Sequence, residues 1–244
     1  MKAAIGCIYE PFEFITVELI KKIDETRKEY KVVGVGIPTD AYFYMRYSRK
    51  PIKPYSDRSQ LAKALKGVDF VFPVDSETDL TSEIVFDGTE MTTVEIPKPY
   101  KVAYAPGTYD LLHEGHLAHL TEVKSLCDIL IVGVNSDKLV YENKRKKTKM
   151  SQEDRLNIVK NLEFVDYVFM VETNLKSRAN KWSLENVGLP IDVIFLGSDL
   201  RGQNLYNDTK IPILFTERDP VLMRRRSSSF YRQVLEGLKN KEQQ

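Results

Sequence analysis

The sequence is poor in the residues that staple or anchor a chain. Its 244 residues include two cysteines, Cys7 and Cys127, one tryptophan and three histidines. Both cysteines fall in apolar stretches, where small buried thiols are the bland expectation. They give no disulfide framework and no metal-ligand spacing. No window has the uninterrupted apolar length that crosses a bilayer, and the first six residues lack the basic region and long apolar run of an export signal. A cytoplasmic location is expected. An excess of charge is also missing: 36 lysines and arginines against 35 acids leave a formal net charge of +1. That balance argues against a general nucleic-acid binder, which gains affinity by displacing counterions from the backbone. A small anionic ligand stays open.

What is present is 42% hydrophobic and 29% charged, enough for one large core or two modest ones. Comparison of the two halves favours two. Ala3 to Tyr9 is an apolar segment followed by Glu10, and Val102 to Tyr109 is another followed by Asp110. Val32 to Val35 resembles Ile131 to Val134, with Asp40 and Asp137 soon after. Asp57-Arg58 and Val68-Asp69-Phe70-Val71-Phe72 then correspond to Asp154-Arg155 and Val165-Asp166-Tyr167-Val168-Phe169.

The shared pattern reads strand, helix, strand, polar loop, helix, strand. Ile15, Leu19, Ile20 and Ile23 recur at helical spacing in the first copy, as Leu117, Leu120 and Val123 do in the second. The runs at 31–37 and 129–134 are β-branched and nearly continuous in apolarity, as strands covered on both faces are. These features predict α/β units with parallel sheets flanked by helices. Between the copies, Ile84 to Phe86 and Met91 to Ile96 flank Asp87-Gly88, a hairpin signal. Pro97 and Pro99 punctuate a linker, so domains over 1–97 and 98–244 are expected.

The segment Tyr104 to His116 leaves an apolar strand, passes a glycine turn and enters a helix. His113, His116 and His119 are spaced to share one side of that helix. Gly107 allows close approach of a nucleotide, Gly115 leaves the first histidine pair unobstructed, and the helix start offers unpaired backbone donors to phosphate. Gly107-Thr108-Tyr109-Asp110-Leu111-Leu112-His113-Glu114-Gly115-His116 resembles the signature of the cytidylyltransferases, which include the glycerol-phosphate, phosphocholine and phosphoethanolamine enzymes. The resemblance implies tandem Rossmann-like nucleotidyltransferase domains. It also implies transfer of CMP from CTP to a phosphorylated small alcohol or amino alcohol, with release of pyrophosphate, a step of phospholipid biosynthesis.

On that resemblance His113 and His116 contact the triphosphate and stabilise the transferring phosphoryl group, and His119 is helix surface or support. Arg155 and Lys149 join the catalytic set, and Lys147 and Lys149 in the basic run after Lys144 are candidates for the substrate phosphate. Gly107, Thr108, Tyr109 and Gly115, with Gly197 and Asp199, meet the nucleotide, as do Ser227, Ser228 and Ser229 beside Arg224, Arg225 and Arg226. Magnesium accompanies the triphosphate, and no protein-built metal site is assigned. The family often dimerises near the nucleotide-binding end of its sheet, as the tandem phosphoethanolamine enzymes do within one chain, which implies an internal pseudo-dimer.

The first copy is expected to be degenerate, with Cys7 at the place of Gly107, Glu13 at that of His113 and Thr16 at that of His116. Two other readings stand beside this one. The triple serine departs from the isoleucine, serine and two threonines of the cytidylyltransferases and is similar to adenylyltransferases, which use ATP. The divergent first copy fits a non-catalytic nucleotide-binding or assembly protein. The acceptor is open, since Tyr104, Tyr109, Tyr141 and Tyr206 form no cage that linear spacing can define.

Overall fold

The computed structural model describes residues 5–76, 98–173, 176–202, 210–216 and Tyr231. The hairpin expected across 84–96, Tyr206, Arg224 to Arg226, Ser227 to Ser229 and the continuation of the last helix past Tyr231 lie outside the described residues.

The chain divides into two compact units, Met1–Pro97 and Lys98–Gln244. The first runs through β1 (Ile5–Tyr9), α1 (Val17–Glu29), β2 (Val32–Pro38), α2 (Asp40–Tyr47), α3 (Tyr55–Lys63) and β3 (Phe70–Val74). Its strands form a parallel sheet in the order β1-β2-β3. The second runs through β4 (Tyr100–Gly107), α4 (Glu114–Ser125), β5 (Cys127–Asn135), α5 (Asp137–Lys144), α6 (Gln152–Lys160), β6 (Tyr167–Val171), α7 (Lys176–Asn186), β7 (Val193–Gly197) and β8 (Ile213–Thr216). These strands are also parallel, in the order β6-β5-β4-β7-β8. Both units are α/β with parallel strands and helices, as the strand and helix pattern predicts, and of the Rossmann-like class that the resemblance implies.

Local physics explains each layer. Val33, Val35 and Ile37 of β2 and Leu130 to Val132 of β5 are fully buried, as expected where helices cover a parallel strand. Leu19, Ile20 and Ile23 turn one face of α1 inward, and Leu117, Leu120 and Val123 do so for α4. In the second unit Tyr104 stacks on Phe169 at 5.7 Å, and Phe169 stacks on Trp182 at 4.5 Å, which docks α7 on the sheet. A Cβ on Gly133 would collide with the Tyr104 hydroxyl, so only glycine lets that ring cross β5.

Strand registers fix how the two copies correspond. Tyr9 pairs with Gly36 as Pro106 pairs with Gly133, and Gly34 pairs with Phe70 as Ile131 pairs with Tyr167. The displacement is 97 positions in every case. This corrects part of the sequence comparison. Gly36, rather than Gly34, is the counterpart of Gly133. Glu10 stands where Gly107 does, Thr16 where His113 does and Leu19 where His116 does. Apolar strands with period-2 alternation look alike in several registers, whereas their hydrogen-bond partners do not slip.

The same displacement carries the framework bonds. The Asp69 carboxylate accepts from Arg27 and from the Val33 N–H, and the Asp166 carboxylate accepts from Lys124 and from the Leu130 N–H. Thr39 caps α2 and Ser136 caps α5, each accepting from the third residue on. Ser48 and Arg145 end those helices in the left-handed region, both at φ 52°. Phe12 and Tyr109 turn the chain after the first strand of each copy, at φ 55° and 53°.

Candidate active site

The strand order reverses at β4, with β5 and β6 to one side and β7 and β8 to the other. In an open parallel sheet this switch point leaves a crevice beyond the carboxyl ends of the strands, where ligands bind. Gly107 closes β4 and Gly197 closes β7, so the histidine signature and the Gly197 to Asp199 turn flank that crevice. Among the described residues no strand lies on the far side of β1.

His113 caps α4, its Nδ1 accepting the Gly115 N–H at 3.1 Å. An imidazole nitrogen that accepts carries no proton, so the neutral ring holds its proton on Nε2 and can donate it to an oxygen. The tautomer is assigned from that hydrogen bond. The His113 and His116 rings stack at 3.8 Å between centroids, 26° apart. Two imidazolium charges that close repel, so the pair favours at most one, and His116 is the member without a capping duty. The Tyr109 ring stands edge-on to His116 at 5.3 Å, buried, with its hydroxyl donating to the Ala105 carbonyl. A Cβ on Gly107 would come within 2.7 Å of that ring, so glycine is needed there to seat Tyr109.

A second set of bonds shapes the loop beside the histidines. Arg155 is fully buried and donates to the Thr108 carbonyl at 2.6 Å, the Asn135 carbonyl at 2.8 Å and Asp137 Oδ1 at 2.6 Å. Arg58 repeats the pattern toward the Pro11 carbonyl and Asp40. Nη1 and Nη2 of Arg155 thus hold the loop, as those of Arg58 do in the copy without histidines, whereas its buried Nε has no hydrogen-bond partner among the described residues. Burial raises the Asp137 carboxyl, but hydrogen bonds from Arg155, Thr148 and the Gln152 backbone outweigh it and leave the group below its ordinary value.

Asp110, buried, accepts the Lys149 and Met150 N–H groups at 3.0–3.1 Å and so holds the basic loop against the signature. Lys147 and Lys149 are exposed, and Lys144 reaches the Thr108 hydroxyl at 3.2 Å. Asp199 is exposed in the 3-10 turn after Gly197. The structure thus gathers Gly107, Thr108, Tyr109, His113, Gly115, His116 and the Lys144 to Lys149 loop around the end of β4. Ser227 to Ser229 are outside the described residues. His119 is buried, with Nδ1 2.7 Å from the buried Thr216 Oγ1, so it is support rather than surface. Sequence reading passed over Asp110, Glu114, Thr216 and Tyr231. Only Asp110 had a signal, the acid Glu13 in the first copy, which accepts the Ile52 N–H in the same way.

No group of three or more histidine, cysteine, aspartate or glutamate side chains suited to a metal occurs among the described residues, and no described helix is long and apolar enough to cross a membrane.

Residues 104–219 match the family model described as cytidylyltransferase-like. Among curated proteins, the bifunctional protein HldE of a Helicobacter pylori strain is 44% identical over 73 residues, 30% of this chain and 16% of that protein. HldE of a Nitratiruptor species is 33% identical over 122 residues, 49% and 25% respectively. HldE of Campylobacter concisus is 28% identical over 156 residues, 62% and 29%. The chain spans less than a third of the length of each of these relatives. A solved structure, the lipopolysaccharide core biosynthesis protein from Thermoplasma volcanium GSS1, is 26% identical with a TM-score of 0.39, covering 49% of this chain and 98% of that one.

Proposed function

We propose that this chain, whose residues 104–219 match the cytidylyltransferase-like family model, transfers a nucleotidyl group from a nucleoside triphosphate to a phosphorylated small molecule and releases pyrophosphate. The observation that carries this is the stacked pair His113 and His116 at the start of α4, beside the crevice where the strand order reverses. A phosphate monoester is already a nucleophile near neutral pH, so the reaction needs no serine nucleophile. It needs two anions brought into line and the charge on transferring and leaving oxygens stabilised. The Nε2–H of His113, the cationic option of His116 and the N-terminal donors of α4 suit that demand, and the lysines at 144, 147 and 149 offer charge to the acceptor phosphate. Magnesium would travel with the triphosphate, whose own oxygens supply most of its ligands.

The histidines and the helix start handle phosphates and leave the base unspecified. CTP is the donor that the signature implies. ATP is the second reading and in our view the stronger one. It is favoured by the Ser227-Ser228-Ser229 run in place of the cytidylyltransferase tail, and by relatives that bear the name of the bifunctional protein HldE instead of that of a CDP-alcohol enzyme. The acceptor remains a phosphorylated small molecule with either donor. The chain should be offered ATP and CTP separately with magnesium and a panel of phosphoethanolamine, phosphocholine, glycerol phosphate and hexose and heptose phosphates, with products weighed by mass spectrometry. A nucleoside-diphosphate-linked product with one donor supports the reading and names the base. Tight triphosphate binding with no product across the panel would favour a non-catalytic nucleotide-binding role.

A further inference from the structure

Three carboxylates of the second unit have counterparts in the first: Asp110 in Glu13, Asp137 in Asp40 and Asp166 in Asp69. Each does the same framework work in both copies. Glu114 is different. Its counterpart, one residue after Thr16, is Val17, so the acid occurs only in the copy that carries the histidines. It is also buried, at 7% exposure, although a glutamate in the first turn of a helix gains from the dipole while staying in water. Burying a carboxylate costs free energy unless a partner satisfies it, and that partner is the buried Tyr231, whose hydroxyl donates to Glu114 Oε1 at 2.5 Å. The Tyr231 ring lies 5.8 Å from the His113 ring at 49°.

We propose that Glu114 and Tyr231 are a positioning pair for His113. The inference rests on the nucleotidyl-transfer reading of the same site. His113 packs against two rings, His116 and Tyr231, and its Nδ1 is held by the Gly115 N–H. The Glu114 bond keeps the tyrosine ring in place, and the tyrosine ring keeps the imidazole from turning over. A turned ring would remove Nε2–H from the phosphate side and break the cap. The pair touches no reacting atom in this account. It acts by holding His113 in the one orientation that serves both the helix and the substrate.

Three histidines in the chain allow each imidazole to be followed by NMR through a pH titration. Y231F and E114A should shift the titration midpoint of His113 and leave that of His119 unchanged, and E114Q, which keeps an acceptor oxygen, should lie closer to wild type than E114A. In the nucleotidyl-transfer assay Y231F and E114A should lower kcat about tenfold, the size expected from one charge-assisted hydrogen bond, with KM for the triphosphate within about twofold. A wild-type His113 titration in folded Y231F and E114A overturns the pair. If Y231F fails to fold, the E114Q and E114A titrations decide alone. Absence of product with the wild-type chain would sink the transfer reading, whereas the titrations still report whether the pair holds His113.

Discussion

At the scale of single residues, the site separates groups that act from groups that hold. His116 has no capping duty and stacks on a neighbour that is neutral by its hydrogen bond, so under the proposed reaction it is the member that offers a positive charge to the phosphate oxygens. Replacing it with alanine should reduce turnover about a hundredfold or more while the thermal midpoint moves little, as read by pyrophosphate release and calorimetry. Near-wild-type turnover would remove it from the mechanism. Asp137 belongs to the holding set. Its carboxyl sits below the ordinary value in the folded chain, so its stabilisation is complete above the unfolded carboxylate range and is lost as pH falls through the depressed value. D137N should therefore be less stable than wild type at neutral pH, and the gap should close with acidification in denaturant titrations. The histidines and the glycines beside them were legible because they sit in one contiguous signature, and the lysines because they form one basic run. The pairing of Glu114 with Tyr231 was not, since 117 positions separate them and nothing in the signature around Glu114 points to a distant tyrosine.

At the scale of elements, the strands and helices follow from apolar periodicity, and the register does not. Alternation in β2 and β5 offered two alignments that place a glycine against a glycine, and only the pairing of Tyr9 with Gly36 and of Pro106 with Gly133 separates them. The aspartate that opens each third strand is the more telling mark. Asp166 ties Lys124 at the end of α4 to the first buried stretch of β5 through the Leu130 N–H. Asp166→Ala leaves that N–H without its acceptor and the ammonium with only the Asp128 carbonyl, and should cost about 1–3 kcal/mol by urea unfolding. A loss under half a kilocalorie would show the bond to be ornamental. Arg155 joined the catalytic set through the family resemblance, whereas its recurrence as Arg58 in the histidine-free copy and its bonds to the Thr108 and Asn135 carbonyls point to loop support.

At the scale of the whole molecule, two units share a framework and differ in chemistry. The first keeps the arginine clamp, the helix caps and the aspartate ties, and replaces the histidines with Thr16 and Leu19 and the strand-end glycine with Glu10. A carboxylate where a triphosphate would pass repels it, and neither threonine nor leucine offers an imidazole in return. An equilibrium titration with magnesium and the preferred triphosphate should give one site per chain, and two equivalent sites would contradict confinement of the chemistry to the second unit. The test closest to the central claim follows one oxygen. An acceptor whose phosphate carries oxygen-18 should yield a nucleoside-diphosphate-linked product that retains every labelled oxygen, with one unlabelled pyrophosphate per product and none without acceptor. Triphosphate hydrolysis independent of the acceptor, or label appearing in the released pyrophosphate, would contradict attack by the acceptor phosphate on the α-phosphorus.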